Sequence, residues 1–147
     1  MTKKKQFDLH QVLSYRTDVE KVRRQEFAVA KRDLEDACDQ LAQEQDELKA
    51  LNKEFSELHG QFESIVDLQM YNDFFTRKKE EIKQQQGRVD ELGQLMDERR
   101  EQMVLATKDK KVLEALKEKK DLAFKQEQQQ KERDFLDEIS VQKKGRE

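Results

Sequence analysis

From Phe27 onward the apolar residues of this chain recur at alternating steps of three and four. The series Phe27, Ala30, Leu34, Ala37, Leu41, Glu44, Leu48, Leu51, Phe55, Leu58, Phe62, Ile65 has a single polar member, Glu44. A second series runs Phe75, Lys78, Ile82, Gln85, Val89, Leu92, Met96, Arg99, Met103, Ala106 and is interrupted at Lys78, Gln85 and Arg99. A strand would throw such residues alternately to both faces, whereas a mean step of about 3.5 gathers them on one stripe of a helix. A helix turns once in ~3.6 residues, so a stripe kept in sevens drifts, and paired helices supercoil left-handedly to stay in contact along it. The pattern predicts coiled coil. Past Ala106 the stripe reads as slipping by about one position and resuming at Val112, Leu116 and Ala123, with Leu113 and Phe124 beside it. The stretch from Phe7 to Arg16 is apolar on one side and reads as outside any clean heptad.

Between the two striped halves, Gly60 suits a position just beyond a helix end, and Ser64 or Asp67 suits an N-cap. The expected fold is all-α, a long antiparallel two-helix coiled-coil hairpin in one domain over residues 1–147. Its first arm is expected over about 7–60, its turn over about 60–67 and its second arm over about 68–140, with a short C-terminal tail. In such a hairpin, facing positions share a constant index sum. A sum near 130 sets Phe55 against Phe75, Leu48 against Ile82 and Leu41 against Val89, and brings Glu44 and Gln85 into one polar layer. A sum near 137 also obeys the repeat, but it moves the turn to about 66–70 and sets Glu44 against Leu92.

Composition strengthens the helical reading. Charged residues make up 43% and hydrophobic residues 34%, with no proline, and the mean hydropathy is −1.16. That is too little apolar matter for one rounded core, but it is rich in strong helix formers. The net charge of −3 gives no basic field for nucleic acid, and the aromatics are not interleaved with a basic face as RNA binding would want. Both termini are mildly basic and the middle is acidic. No apolar run is long enough for a signal peptide or a membrane span, so a cytosolic chain is expected. Cys38, His10 and His59 complete no metal cage. A slender two-helix body with no concave part holds no water-excluding pocket, so neither catalysis nor a cofactor is expected.

Three features stand apart from the repeat. One is the lysine-rich helix Lys108-Asp109-Lys110-Lys111-Val112-Leu113-Glu114-Ala115-Leu116-Lys117-Glu118-Lys119-Lys120, either a solvated face or a docking surface for an acidic partner. A second is the aromatic group Phe55, Phe62, Tyr71, Phe74 and Phe75, where Tyr71 and Phe74 cannot both face the seam and could anchor another protein. The third is the N-terminal stretch itself. With the spacing Phe7-x-Leu9-x-x-Val12-Leu13-x-Tyr15-Arg16, then Tyr71-x-x-Phe74 with Ile82, then Lys111-Val112-Leu113-Glu114-x-Leu116-Lys117-Glu118-Lys119-Lys120 and Asp137-Glu138-Ile139, the chain resembles the FliJ family of flagellar type III export over nearly its whole length. The related YscO-type stalk of virulence injectisomes shares this architecture.

The resemblance implies a non-enzymatic component of flagellar protein export. It would act as the central stalk of the hexameric export ATPase, much as a gamma subunit does in rotary ATPases, and would contact the export gate membrane protein and export chaperones. It implies a cytoplasmic protein, peripheral to the inner membrane through the export apparatus. It carries the family's gate-binding positions onto Glu44, Leu48, Leu51, Phe55, Phe74, Lys78, Glu81 and Gln85, although Leu48, Leu51 and Phe55 also read as seam residues. It assigns the ring-facing end to the basic one, with Lys110, Lys111, Lys117, Lys119 and Lys120. The alternatives are the equivalent virulence stalk and a passive spacer in which one continuous helix pairs with a second copy.

Overall fold

A computed structural model of the chain describes residues 2–58, 60, 61 and 64–145, with side chains from Leu9 onward. It consists of two helices, α1 (Thr2–Glu57) and α2 (Ile65–Gly145), packed as an antiparallel hairpin with no strand among the described residues. His59, Phe62 and the side chain of Phe7 lie outside what is described. Cα packing divides the molecule into two units, Val22–Met103 around the turn, and the residues up to Lys21 with those from Val104.

The turn-bearing unit owes its reversal to two residues the sequence singled out. The carbonyl of Leu58 accepts a hydrogen bond from the Gln61 N–H at 2.8 Å. Gly60 takes φ +74°, a left-handed backbone that costs a residue with a Cβ roughly 1–2 kcal/mol. Ser64 then caps α2, its Oγ accepting from the Asp67 N–H at 3.3 Å, which satisfies one of the amides that a helix start leaves without a partner. The acidic Asp67 in that first turn also faces the positive end of the helix dipole. Ile65 therefore opens the second helix rather than closing the stripe of the first, and it is 75% exposed.

Within this unit the seam runs along α1 through Arg23, Phe27, Ala30, Leu34, Ala37, Leu41, Glu44, Leu48, Leu51 and Phe55, and ends at Leu58 just beyond the helix. Along α2 it runs through Tyr71, Phe75, Lys78, Ile82, Gln85, Val89, Leu92, Met96, Arg99 and Met103. All are buried or half-buried, the fullest burial falling on Ala30 and Ala37, whose small side chains let the helices approach closely. Phe55 meets Phe75 edge to face, with ring centroids 5.6 Å apart. Glu54 with Tyr71, Glu47 with Lys78, and Glu26 with Arg99 give an index sum of about 125. Pairing thus lies at or just below the smaller of the two registers, and α2 has already begun where the larger one would put the turn.

The expected Glu44–Gln85 layer is replaced by two separate solutions. Gln85 is buried and donates its amide to the Ala37 carbonyl oxygen at 3.0 Å. Glu44 accepts from Gln40 at 3.5 Å through Oε1, while its Oε2 is buried without a partner. With the helices about one step off the ideal sum, the two side chains are no longer directly opposed.

The second unit corrects two sequence expectations. Leu9, Leu13, Arg16 and Glu20 of α1, and Ala106, Lys110, Leu113 and Lys117 of α2, are buried or half-buried there and form its seam, with Val19 and Thr107 half-buried beside it. Both sets keep the three-and-four spacing without a slip, whereas Val112 and Leu116 are exposed. The N-terminal stretch is accordingly heptad helix. Glu20, only 6% exposed, pairs with Lys110 at 3.4 Å, and Arg16 reaches Asp109 at 3.6 Å. Charged residues occupy seam positions here, so a stripe counted only in apolar letters jumps sideways to Val112 and Leu116.

Candidate functional site

Two surfaces stand out once the seam is accounted for, one in each unit. In the turn-bearing unit, α1 stops at Glu57 while the first turns of α2 carry a dense run of apolar residues. Ile65, Val66, Leu68, Met70 and Phe74 are all exposed, Met70 at 60% and Phe74 at 49%. The described part of α1 leaves much of this surface uncovered, so it stays in contact with water, a cost that partner binding would relieve. Here the molecule does have a concavity, contrary to the sequence expectation. An open groove of about 650 Å³ is lined by Leu51, Glu54, Leu58, Gln61, Asp67, Met70, Tyr71 and Phe74.

The groove is held in shape from beneath. Phe55 packs edge-on against Tyr71 as well as Phe75, with centroids 5.7 Å apart in the first pair. The Tyr71 hydroxyl donates to Glu54 at 3.1 Å. Desolvation, reinforced by that carboxylate, pushes the Tyr71 phenol above its ordinary pKa. Arg77 lies over the Phe74 ring, 4.5 Å from its centroid, and steadies an aromatic that no seam contact holds.

The expected gate-binding positions do not share one environment. Leu48, Leu51 and Phe55 are half-buried seam residues and Gln85 is buried, while Phe74 and Glu81 are exposed. Lys78 bridges Glu47 of α1 and Glu81 of its own helix, the latter at 3.6 Å. The hydrogen bond between Lys78 and Glu47 holds the Glu47 carboxyl below its usual pKa and the Lys78 ammonium above its own. Beside them runs a second open groove with an acidic lining of Asp36, Asp39, Glu44 and Glu47.

In the other unit, the lysine-rich segment is only partly a free basic face. Lys110 is half-buried and bonded to Glu20 and Glu114, and Lys117 is half-buried in the seam; Lys111, Lys119 and Lys120 are exposed. From residue 118 to 145 every residue of α2 is exposed, including Phe135, Leu136 and Ile139. No described side chain of α1 buries this stretch of helix, and pairs such as Glu127 with Lys131 at 3.7 Å support it only by a few tenths of a kcal/mol each.

Sequence reasoning found Tyr71 and Phe74 as candidate anchors but missed Met70, Leu58 and Asp67. The signal was present in the run Ile65-Val66-x-Leu68-x-Met70, which offers more apolar residues than a single seam can take. Chemically these surfaces can bind protein. Among the described residues no group of His, Cys, Asp and Glu is arranged to hold a metal ion, and no helix is long and apolar enough to cross a membrane. Compared with known proteins, residues 5–147 match the family model described as flagellar FliJ protein. No curated protein and no solved structure matches the chain.

Proposed function

From the premise that this chain belongs to the flagellar FliJ protein family, and is thereby a component of flagellar protein export, we propose that it is the central stalk of the hexameric export ATPase. In this reading it links the ring to the export gate and to export chaperones at the cytoplasmic face of the inner membrane, and hydrolyses nothing itself. The observation that carries the reading is the family match over nearly the whole chain. The helical hairpin supports it, because a stalk needs two helices that brace each other and a length of helix left free to engage a pore.

The uncovered part of α2, residues 118–145, is the segment proposed to enter the ring. Lys111, Lys119 and Lys120 are exposed and would steer it toward acidic subunit surfaces, with long-range attraction raising the encounter rate more than the final affinity. Lys110 and Lys117 would act from the seam, ordering the helix rather than touching the ring. A stalk changes its ring only through contacts that differ among subunit states, so asymmetry along the inserted helix is what would bias the cycle. The strip Glu44, Leu48, Leu51, Phe55, Phe74, Lys78, Glu81 and Gln85 is proposed to meet the gate, with exposed Phe74 and Glu81 making contact and the seam members shaping the surface beneath.

The test is direct. Added to purified flagellar export ATPase, the protein is expected to promote hexamer formation and raise the hydrolysis rate several-fold. The triple variant Lys111→Glu, Lys119→Glu, Lys120→Glu is expected to lose most of that effect while keeping its helical signal. Unchanged assembly and turnover across a wide range of stoichiometry would end the stalk reading.

A further inference from the structure

We propose that the groove beside the turn is a docking site for a basic amphipathic helix of another protein, taking an apolar side chain of that helix between Met70, Phe74 and Leu58. The groove shares Leu51 and Phe74 with the strip proposed to meet the gate, so the inference rests on that part of the reading and names the chemistry of the partner segment, while the ATPase-stalk role can fail without it. Its first ground is shape and chemistry: a concavity of about 650 Å³ with Leu51, Leu58, Met70, Tyr71 and Phe74 in its lining is large enough for a leucine or phenylalanine side chain together with part of the helix that bears it. Ile65, Val66 and Leu68 widen the exposed apolar surface next to it.

The second ground is charge, which selects the occupant. Glu54 and Asp67 stand in the lining and Arg77 is held over Phe74, so the rim carries two carboxylates to one guanidinium. The Tyr71 hydroxyl ties Glu54 in place at 3.1 Å, so that carboxylate is a fixed feature rather than a wandering one. A second copy of this chain docking by the same surface would set these carboxylates against themselves, and an anionic lipid surface would be repelled by them. A helix with leucines on one face and lysines or arginines flanking them satisfies both the apolar lining and the acidic rim.

The experiment uses the full chain with its methionine methyl groups labelled for NMR, and as probe a synthetic helical peptide with leucine at i, i+3, i+4 and i+7 and lysine elsewhere. The Met70 signal is expected to shift on titration while those of Met96 and Met103, half-buried in the seam, stay in place. Met70→Ala and Phe74→Ala remove exposed apolar side chains without adding charge and should leave the fold intact; each is expected to weaken binding about tenfold or more. Asp36→Asn with Asp39→Asn, in the separate acidic groove, is the control for general attraction of a cation and is expected to leave affinity unchanged. The matching peptide with glutamate for lysine, and vesicles of phosphatidylglycerol, are both expected not to bind. The proposal is overturned if Met70 does not respond, if the distant acidic pair matters as much as the groove, or if the vesicles bind in place of the peptide.

Discussion

Glu44 breaks an otherwise apolar stripe, and its Oε2 is buried without a hydrogen-bond partner. A buried unsatisfied polar atom costs about 1–3 kcal/mol, whereas an apolar side chain of similar size at a seam position gains from burial. Glu44→Leu should therefore raise the free energy of unfolding by about 1 kcal/mol, read from the midpoint of a urea titration; a loss of stability would mean that the carboxylate is satisfied in solution. Glu47 offers a test by pH. Its carboxyl is held low by the hydrogen bond from Lys78, so the stability it contributes is full above the ordinary carboxylate pKa and is lost as pH falls through the depressed value. Lys78, whose pKa is raised by the same bond, contributes fully below the ordinary lysine pKa and loses that contribution as pH rises through its own raised one. Lys78→Met should return the Glu47 titration, followed by carboxyl carbon NMR, to the ordinary range. If the Glu47 midpoint stays put in that variant, the pair does not form in solution. Glu44 was visible as an interruption in the sequence, but the bond from Gln85 to the Ala37 carbonyl was not, because the reach of a side chain across the seam is not written in the repeat.

The two helical elements are held differently in the two units, each by its own chemistry. Around the turn, aromatic and aliphatic residues fill the seam, with Phe55 in ring contact with both Tyr71 and Phe75. In the unit containing residues 9–20 of α1, Glu20 with Lys110 and Arg16 with Asp109 take seam or near-seam places. The exposed Arg16–Asp109 pair contributes only about 0–1 kcal/mol and is screened by salt, the Debye length falling from ~10 Å at 0.1 M to ~3 Å at 1 M, whereas the pair of buried Glu20 with Lys110 is screened less. Raising sodium chloride over that range should speed amide hydrogen exchange several-fold in residues 9–20 and leave residues 41–55 nearly unchanged. Equal protection of both stretches at high salt would show that the apolar contacts of Leu9 and Leu13 suffice. The sequence marked where the helices would be but misjudged this part of their pairing. Arg16, Glu20, Asp109 and Lys110 look like solvated letters in a one-dimensional pattern, and only the opposing helix reveals the pairs Arg16–Asp109 and Glu20–Lys110.

For the molecule as a whole, the sharpest alternative to a hairpin is a continuous helix that pairs with a second copy. Gly60 at φ +74° and the Ser64 cap on α2 interrupt the helix at the place a hairpin requires. Folding within one chain does not depend on protein concentration, whereas a dimer gains stability with concentration by mass action. The thermal midpoint should hold constant over a hundredfold range of about 1–100 μM, and light scattering should return a mass close to the chain's 17.6 kDa. A midpoint that climbs with concentration, or twice that mass, would favour the spacer.

By itself the sequence determined that this chain is helical, that it carries two apolar stripes in heptad spacing, and that a reversal between them falls between Gly60 and Met70. Each of these follows from hydrophobic periodicity and backbone preference, which are local properties of the residue order. Only the tertiary structure decided which charged residues enter the seam, how Glu44 and Gln85 are accommodated, and that a groove opens beside Met70 and Phe74. These depend on what stands across from a side chain once the helices meet, and burial of a charge is tolerated or refused according to its partner rather than its place in the sequence.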